Sequence, residues 1–141
     1  QFAERYADDA LVMDKYFMLV ASSGRSDTFE RVQAALNHPR FSMENPNKVR
    51  SLIGMFTRNI AEFHHVSGRG YAFVADKIIA LDGYNPQVAA RLVQAFNVLS
   101  RVDDVRQSMM LAQLERIQAQ TNVSKDTAEI IGKILLQHQV A

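Results

Sequence analysis

Residues 45–53 read NPNKVRSLI, and this stretch decides the fold class. Asn45 is a favoured residue immediately before a helix, and Pro46 suits the first helical position because its missing N–H would have no partner there. Apolar residues then follow at positions i, i+3, i+4 and i+7, namely Val49, Leu52, Ile53 and Phe56. This spacing predicts a helix with one buried face.

A second stretch repeats this start further along the chain. Residues 85–93 read NPQVAARLV, and Pro86 follows Pro46 at an interval within the period of about 40–47 residues typical of helical-pair solenoids. Val88, Leu92, Ala95 and Leu99 are expected on one face of this helix. Two helices that start alike by chance remain an alternative to a true repeat.

The rest of the chain also has helical spacing. The first predicted helix, about residues 10–21, is apolar nearly all round except for Asp14 and Lys15, which is typical of a helix covered by neighbours. Further helix starts are expected at Ser26 or Asp27, Asn59, Tyr71, Asp103 or Asp104, and Ser124. The predicted fold class is all-α, a superhelical stack of antiparallel helix pairs of the armadillo or HEAT kind.

Composition excludes several function classes. The 141 residues suit one domain, and the absence of cysteine excludes disulfide scaffolds, thiolate metal sites and thiol nucleophiles. A net charge of +1 gives no broad basic surface for nucleic acid, and no stretch is apolar enough to span a membrane. The chain begins within a predicted helix and without methionine, so we interpret it as a piece of a longer protein.

Histidines provide the first candidate chemistry. His64 and His65, with Glu62, form the one histidine–carboxylate cluster in the sequence. Adjacent histidines on a helix point about 100° apart, so they cannot share a metal ion as an i, i+4 pair does. We therefore interpret them as surface or capping residues. Residues 68–70 (GRG) lack the preceding strand of a dinucleotide site and are predicted to form a loop.

Arginines provide the second candidate. Arg50 and Arg91 each lie at the edge of an apolar stripe, in a helix that begins with Asn-Pro. A guanidinium at such an edge can reach over a groove and bind a carboxylate or carbonyl group through its fork of donors. A structural ion pair is the alternative for both residues.

Several segments, taken together, resemble the C-terminal domain of the bacterial aminopeptidase N (alanyl aminopeptidase) family. The members of this family are zinc metallopeptidases. The matching segments are LVMDKYF at 11–17, FSMENPNKVRSLIG at 41–54, Phe63-His64, Gly68, Gly70-Tyr71, NPQVA at 85–89 and Arg91-Leu92. From about Asp103 onwards the tail is matched by helical character more than by identity.

The resemblance implies that residues 1–141 form one helical domain that closes over the catalytic chamber of a larger aminopeptidase. Zinc and all catalytic residues would belong to the catalytic domain, so no cofactor and no catalytic residue is expected in this chain. Arg50 and Arg91 match arginines that line the chamber and can contact the distal part of a bound peptide. The implied partners are the remaining domains and the peptide substrate, and the implied location is the bacterial cytoplasm.

The sequence is also compatible with two other functions. One is a free-standing helical-repeat module for protein interaction, and the other, with least support, is a small enzyme in its own right. A free-standing module needs polar helices at both ends, whereas the first helix here is strongly apolar. Its apolar surplus predicts an adhesive face when the chain is isolated.

Overall fold

The computed structural model describes the backbone of residues 2–140 and the side chains of residues 10–139. No strand occurs among these residues, so the predicted all-α class is confirmed. The chain divides into two compact units, a first unit up to Glu62 and a second unit from Phe63 onwards. Each unit is described by itself.

The first unit is built around the helix that begins with Asn45-Pro46. Its elements are α1 (Phe2–Ser22), α2 (Thr28–Ala35), α3 (Pro46–Val49), a π-helical segment (Arg50–Gly54) and the start of α4 (Ile60–Phe63). The Asn45 side chain accepts hydrogen bonds from the backbone N–H groups of Asn47 and Lys48, as a capping residue does. The predicted stripe is fully buried at all four positions, Val49, Leu52, Ile53 and Phe56.

One asparagine connects two helix ends in this unit. Asn59 Oδ1 accepts a hydrogen bond from the backbone N–H of Glu62 at 3.3 Å, which confirms Asn59 as the cap of the short helix α4. Its Nδ2 donates to the carbonyl oxygens of Ala21 and Ser23, at 2.9 and 3.0 Å. The same side chain therefore also satisfies carbonyl groups at the end of α1.

Lys48 connects α3 to α1 from a buried position. Its ammonium group lies 2.5 Å from Asp14 Oδ1 and donates to the Ala10 carbonyl oxygen at 3.1 Å. Only 7% of the Lys48 side chain is exposed. A buried cation needs such partners, because an unpaired charge away from water is costly. Asp14 is one of the two charged residues that interrupt the apolar first helix. Its ion pair with Lys48 accounts for a carboxylate at this position.

The outer side of α1 carries exposed apolar residues. Phe17, Val20 and Ala21 are buried against the rest of the first unit. The opposite side, which we call the α1 apolar face, consists of Leu11, Val12, Tyr16, Met18 and Leu19, and Leu19 is 70% exposed. The helix is therefore covered on one side only within the described chain, although its composition predicted cover on several sides.

The second unit consists of α5 (Arg69–Asp82), α6 (Pro86–Val93), a 3-10 segment (Gln94–Arg101), α7 (Asp104–Gln118) and α8 (Lys125–Val140). Helix α5 packs against α6 and α7, and α6 packs against α8. The predicted Asn85 and Asp103 caps are confirmed, since their side chains accept from the backbone N–H groups of Val88 and Arg106.

Two predictions for the second unit need correction. Residues 68–70 are not all loop, because α5 already begins at Arg69 after Gly68, whose φ of +81° suits glycine. The helix after Asn85 does not remain α-helical, and it becomes a 3-10 helix at Gln94. With three residues per turn, Phe96 and Leu99 lie above one another and are buried. Of the predicted stripe, Leu92 and Leu99 are buried, whereas Val88 and Ala95 are only half-buried.

A buried carboxylate joins the end of α5 to the start of α8. Asp82 accepts hydrogen bonds from the Ser124 backbone N–H and hydroxyl, each at 2.6 Å, and from the Thr127 hydroxyl at 2.7 Å. Ser124 in turn accepts from the Thr127 backbone N–H at 3.1 Å, which confirms Ser124 as the cap of α8. The carboxylate also lies at a helix N-terminus, where negative charge is favourable.

We expect Asp82→Ala to lower the free energy of unfolding by about 2–4 kcal/mol, because three donors lose a charged acceptor in a buried position. The matched control is Asp76→Ala in the same helix, which removes an ion pair with Arg116 in which the Asp76 side chain is 59% exposed. Exposed pairs contribute at most about 1 kcal/mol. Urea denaturation of both variants measures the difference, and equal losses would contradict a special role for Asp82.

Candidate functional site

Arg50 lies at the edge of the buried stripe, as the sequence predicted. It opens the π-helical segment and is exposed, while its neighbours Val49 and Ser51 are buried. Its Nη2 atom donates to Asn47 Oδ1 at 2.6 Å. The guanidinium is thus held by a neutral amide, which leaves its positive charge uncompensated by that contact. An arginine of this kind can bind a carboxylate or a carbonyl oxygen.

Arg91 lies one position later in its Asn-Pro helix than Arg50 does in the first unit, so the two positions do not correspond. Arg91 is exposed in the last turn of α6, next to the buried Leu92. Arg50 and Arg91 belong to different units, so each is described within its own unit, and their joint role in binding a peptide stays a prediction.

The second unit contains a polar cluster that the sequence did not reveal. His64 Nδ1 lies 2.5 Å from the hydroxyl oxygen of the fully buried Tyr71, and Arg106 Nε donates to the His64 carbonyl oxygen at 2.7 Å. The Arg106 guanidinium also pairs with Asp103 at 2.8 Å. His64 and Arg106 are 42 positions apart, so no local pattern could have indicated their contact.

The titration of this cluster follows from its surroundings. Burial lowers the pKa of His64 below its ordinary value of 6.5, and the positive charge of Arg106 lowers it further. Burial also raises the pKa of the Tyr71 hydroxyl. Phe63 and Phe96 surround Tyr71, with ring centroids 5.1 and 6.1 Å away. The imidazole is therefore kept neutral inside an aromatic environment.

The neighbouring His65 faces a different partner. Its Nδ1 lies 2.8 Å from the Ser67 hydroxyl and accepts from the Ser67 backbone N–H at 3.2 Å, which is a local turn contact. The two histidines thus contact separate groups. Both follow the end of α4 at Phe63, so their separation comes from the turn and not from a helix, and the half-buried His64 is not the surface or capping residue that was predicted. Among the residues whose side chains are described, no group of three histidine, cysteine, aspartate or glutamate residues could hold a metal ion.

The described residues thus include one exposed guanidinium group beside a buried residue in each unit, Arg50 and Arg91. None of the described helices has the length and apolar character needed to cross a membrane. The fold and these residues define the class of the chain, an all-α protein of two helical units, each with an exposed arginine next to a buried residue.

Comparison with known proteins agrees with this class. Residues 1–136 match the family model described as "Domain of unknown function (DUF3458_C) ARM repeats". The chain belongs to this family of ARM-repeat domains.

Curated relatives carry the name Aminopeptidase N. The Haemophilus influenzae protein is 44% identical over 135 residues, and the Escherichia coli protein is 41% identical over 136 residues. These matches cover 95% and 96% of this chain but only 16% of each relative. The chain therefore spans about one sixth of the length of the curated relatives that it matches.

A solved structure supports the same relationship. The crystal structure of Legionella pneumophila aminopeptidase A in complex with aspartic acid matches with a TM-score of 0.86 and 35% sequence identity. The match covers 94% of this chain and 15% of the Legionella chain. The chain is thus similar, over nearly its whole length, to one region of larger aminopeptidases.

The lowered pKa of His64 predicts that the stability of the chain depends on pH. As the pH falls through 6.5, the unfolded chain binds a proton on this imidazole before the folded chain does, so the free energy of unfolding decreases. We expect this decrease to begin as the pH falls below about 7, and we expect a smaller decrease in His64→Asn. Denaturation at several pH values measures both slopes. His65→Asn is the matched control, and identical slopes for His64→Asn and the original chain would contradict the prediction.

Proposed function

We propose that this chain is the C-terminal helical domain of a zinc aminopeptidase that removes N-terminal amino acids from peptides. In this proposal residues 1–141 act as one domain that closes the catalytic chamber, restricts access to it and helps to position the distal part of the peptide. The observation that carries the proposal is the identity of 41–44% to Aminopeptidase N proteins over nearly all of this chain and only 16% of each relative.

The domain would contribute access and position, and the remaining domains would contribute the chemistry. Zinc in the catalytic domain of the parent enzyme would activate water and polarise the peptide carbonyl group. The proposal places no cofactor and no catalytic residue in this chain. Correct placement of a substrate alone can account for a large part of a rate enhancement, so a domain without catalytic groups can still matter for turnover.

Arg50 and Arg91 are the residues that we propose to contact the peptide. Both are exposed guanidinium groups beside buried stripes, and the Arg50 charge is oriented by a neutral amide rather than by a carboxylate. A peptide beyond its first residue offers carbonyl oxygens and a terminal carboxylate, which are the groups that a guanidinium binds best. Such contacts would distinguish peptides from single-residue substrates.

The α1 apolar face supports a partner within the same parent protein. Leu11, Val12 and Leu19 are each at least 60% exposed, and contiguous apolar surface of this kind marks an interaction site. We propose that the remaining domains of the parent cover it. A location in the bacterial cytoplasm, which the family resemblance implied, is part of the same proposal.

A free-standing interaction module remains the second candidate. The description of the matching family as ARM repeats favours it, because repeats of this kind form extended binding surfaces. In that case no aminopeptidase chain would bind the α1 apolar face, and Arg50 and Arg91 would have no effect on peptide hydrolysis.

We expect Arg50→Ala and Arg91→Ala in the full-length parent enzyme to raise KM for a tripeptide about 10-fold, the loss of one charge-assisted hydrogen bond. Hydrolysis of a single-residue chromogenic substrate should be unchanged, because that substrate has no distal part. Steady-state kinetics on both substrates measure the effect.

Two exposed arginines provide matched controls, Arg58→Ala for the first unit and Arg101→Ala for the second. Neither lies in a helix start of the Asn-Pro type, and both variants should leave the ratio of the two KM values unchanged. If Arg50→Ala and Arg91→Ala weaken both substrates equally, the arginines have a structural role and the proposed contact with the peptide is wrong.

A further inference from the structure

The Arg50 guanidinium contacts the side chain of Asn47. We propose that Asn47 is a positioning residue for the Arg50 guanidinium, and that it sets the direction of this cation without neutralising it. The inference rests on the proposed function, because it concerns how Arg50 meets a peptide. Its basis is the hydrogen bond from Arg50 Nη2 to Asn47 Oδ1, at 2.6 Å.

The backbone of Asn47 is itself held in place by two hydrogen bonds to side chains. Its backbone N–H donates to Asn45 Oδ1 at 3.0 Å, and its carbonyl oxygen accepts from the Ser51 hydroxyl at 2.7 Å. Ser51 is buried, so this second bond ties Asn47 to the interior of the first unit. An acceptor on a fixed backbone can hold a flexible side chain in one direction.

Gly54 does not confine the aliphatic part of Arg50. This part of the side chain passes Gly54, and even a Cβ added at Gly54 would lie 3.6 Å from Arg50 Cγ, which is ordinary contact. The glycine therefore offers no tight wall on that side. In our proposal, the hydrogen bond to Asn47 selects the direction of the guanidinium.

The chemical nature of the holder matters as much as its position. A carboxylate at residue 47 would form an ion pair and compensate the charge of Arg50, whereas an amide oxygen accepts one hydrogen bond and leaves the charge for a ligand. One bond also uses only one of the five N–H donors of a guanidinium. Orientation before binding reduces the entropy that the side chain loses when it meets the peptide.

The test is a double-mutant cycle in the full-length parent enzyme, with Asn47→Ala, Arg50→Ala and the combination of both. We expect Asn47→Ala to raise KM for a tripeptide about three- to ten-fold, the effect of one hydrogen bond, with kcat unchanged. A single-residue chromogenic substrate should show no change. In the Arg50→Ala background the Asn47→Ala substitution should add nothing, because the group that it orients is absent.

Asn37→Ala, at another exposed asparagine of the first unit, is the matched control and should leave both KM values unchanged. Circular dichroism shows whether each variant is folded, and Asn47→Ser is the second variant if Asn47→Ala is not. An effect of Asn47→Ala that adds fully to that of Arg50→Ala, or no effect while Arg50→Ala is impaired, overturns the inference and leaves the proposed function intact. If Arg50→Ala itself has no effect selective for peptides, the proposed function of Arg50 and this inference both fail.

Discussion

The starts of the two Asn-Pro helices are the constraint on which the rest of the structure depends. The first N–H groups of a helix have no partner inside it, and the side chains of Asn45 and Asn85 supply acceptors at these points. Each cap fixes the residue at which its helix starts, and this start determines which of the following residues face inwards. The exposed positions of Arg50 and Arg91, each beside a buried residue, follow from these two caps and from the helical period.

Caps and stripes were predictable because they depend on neighbours in the chain. The Asn45, Asn85, Asp103 and Ser124 caps and the buried stripe from Val49 to Phe56 all follow from spacing within about one or two turns. The Asp82 network and the His64–Arg106 contact were not predictable, since each joins groups more than 40 positions apart. The 3-10 segment after α6 was also missed, because apolar residues three apart suit an α-helix and a 3-10 helix equally well.

The first helix illustrates the limit of composition as a guide. The apolar composition of a helix predicts that its surface is buried, but the residues that bury it can belong to another domain or another chain. Within the described residues, α1 buries one side against the first unit and exposes Leu11, Val12 and Leu19 on the other. The apolar surplus of α1 thus appears in the structure as an exposed apolar face. In our proposal, other domains of the parent protein cover this face. Of the candidate site, the exposed position of Arg50 at the edge of its buried stripe was predictable. The Asn47–Arg50 contact spans only three positions, and the i, i+3 spacing of a helix permits this contact without selecting it over other side-chain conformations.

The central claim is that this chain completes a larger aminopeptidase, and a reconstitution tests it most directly. The parent enzyme truncated before this region would be mixed with the purified chain, while complex formation and hydrolysis of an alanyl peptide are followed together. The account predicts binding with recovered peptide hydrolysis, prevented by Leu19→Glu on the α1 apolar face but not by Leu136→Glu, at the 60% exposed Leu136 of α8. A folded chain that neither binds nor restores hydrolysis would contradict the account.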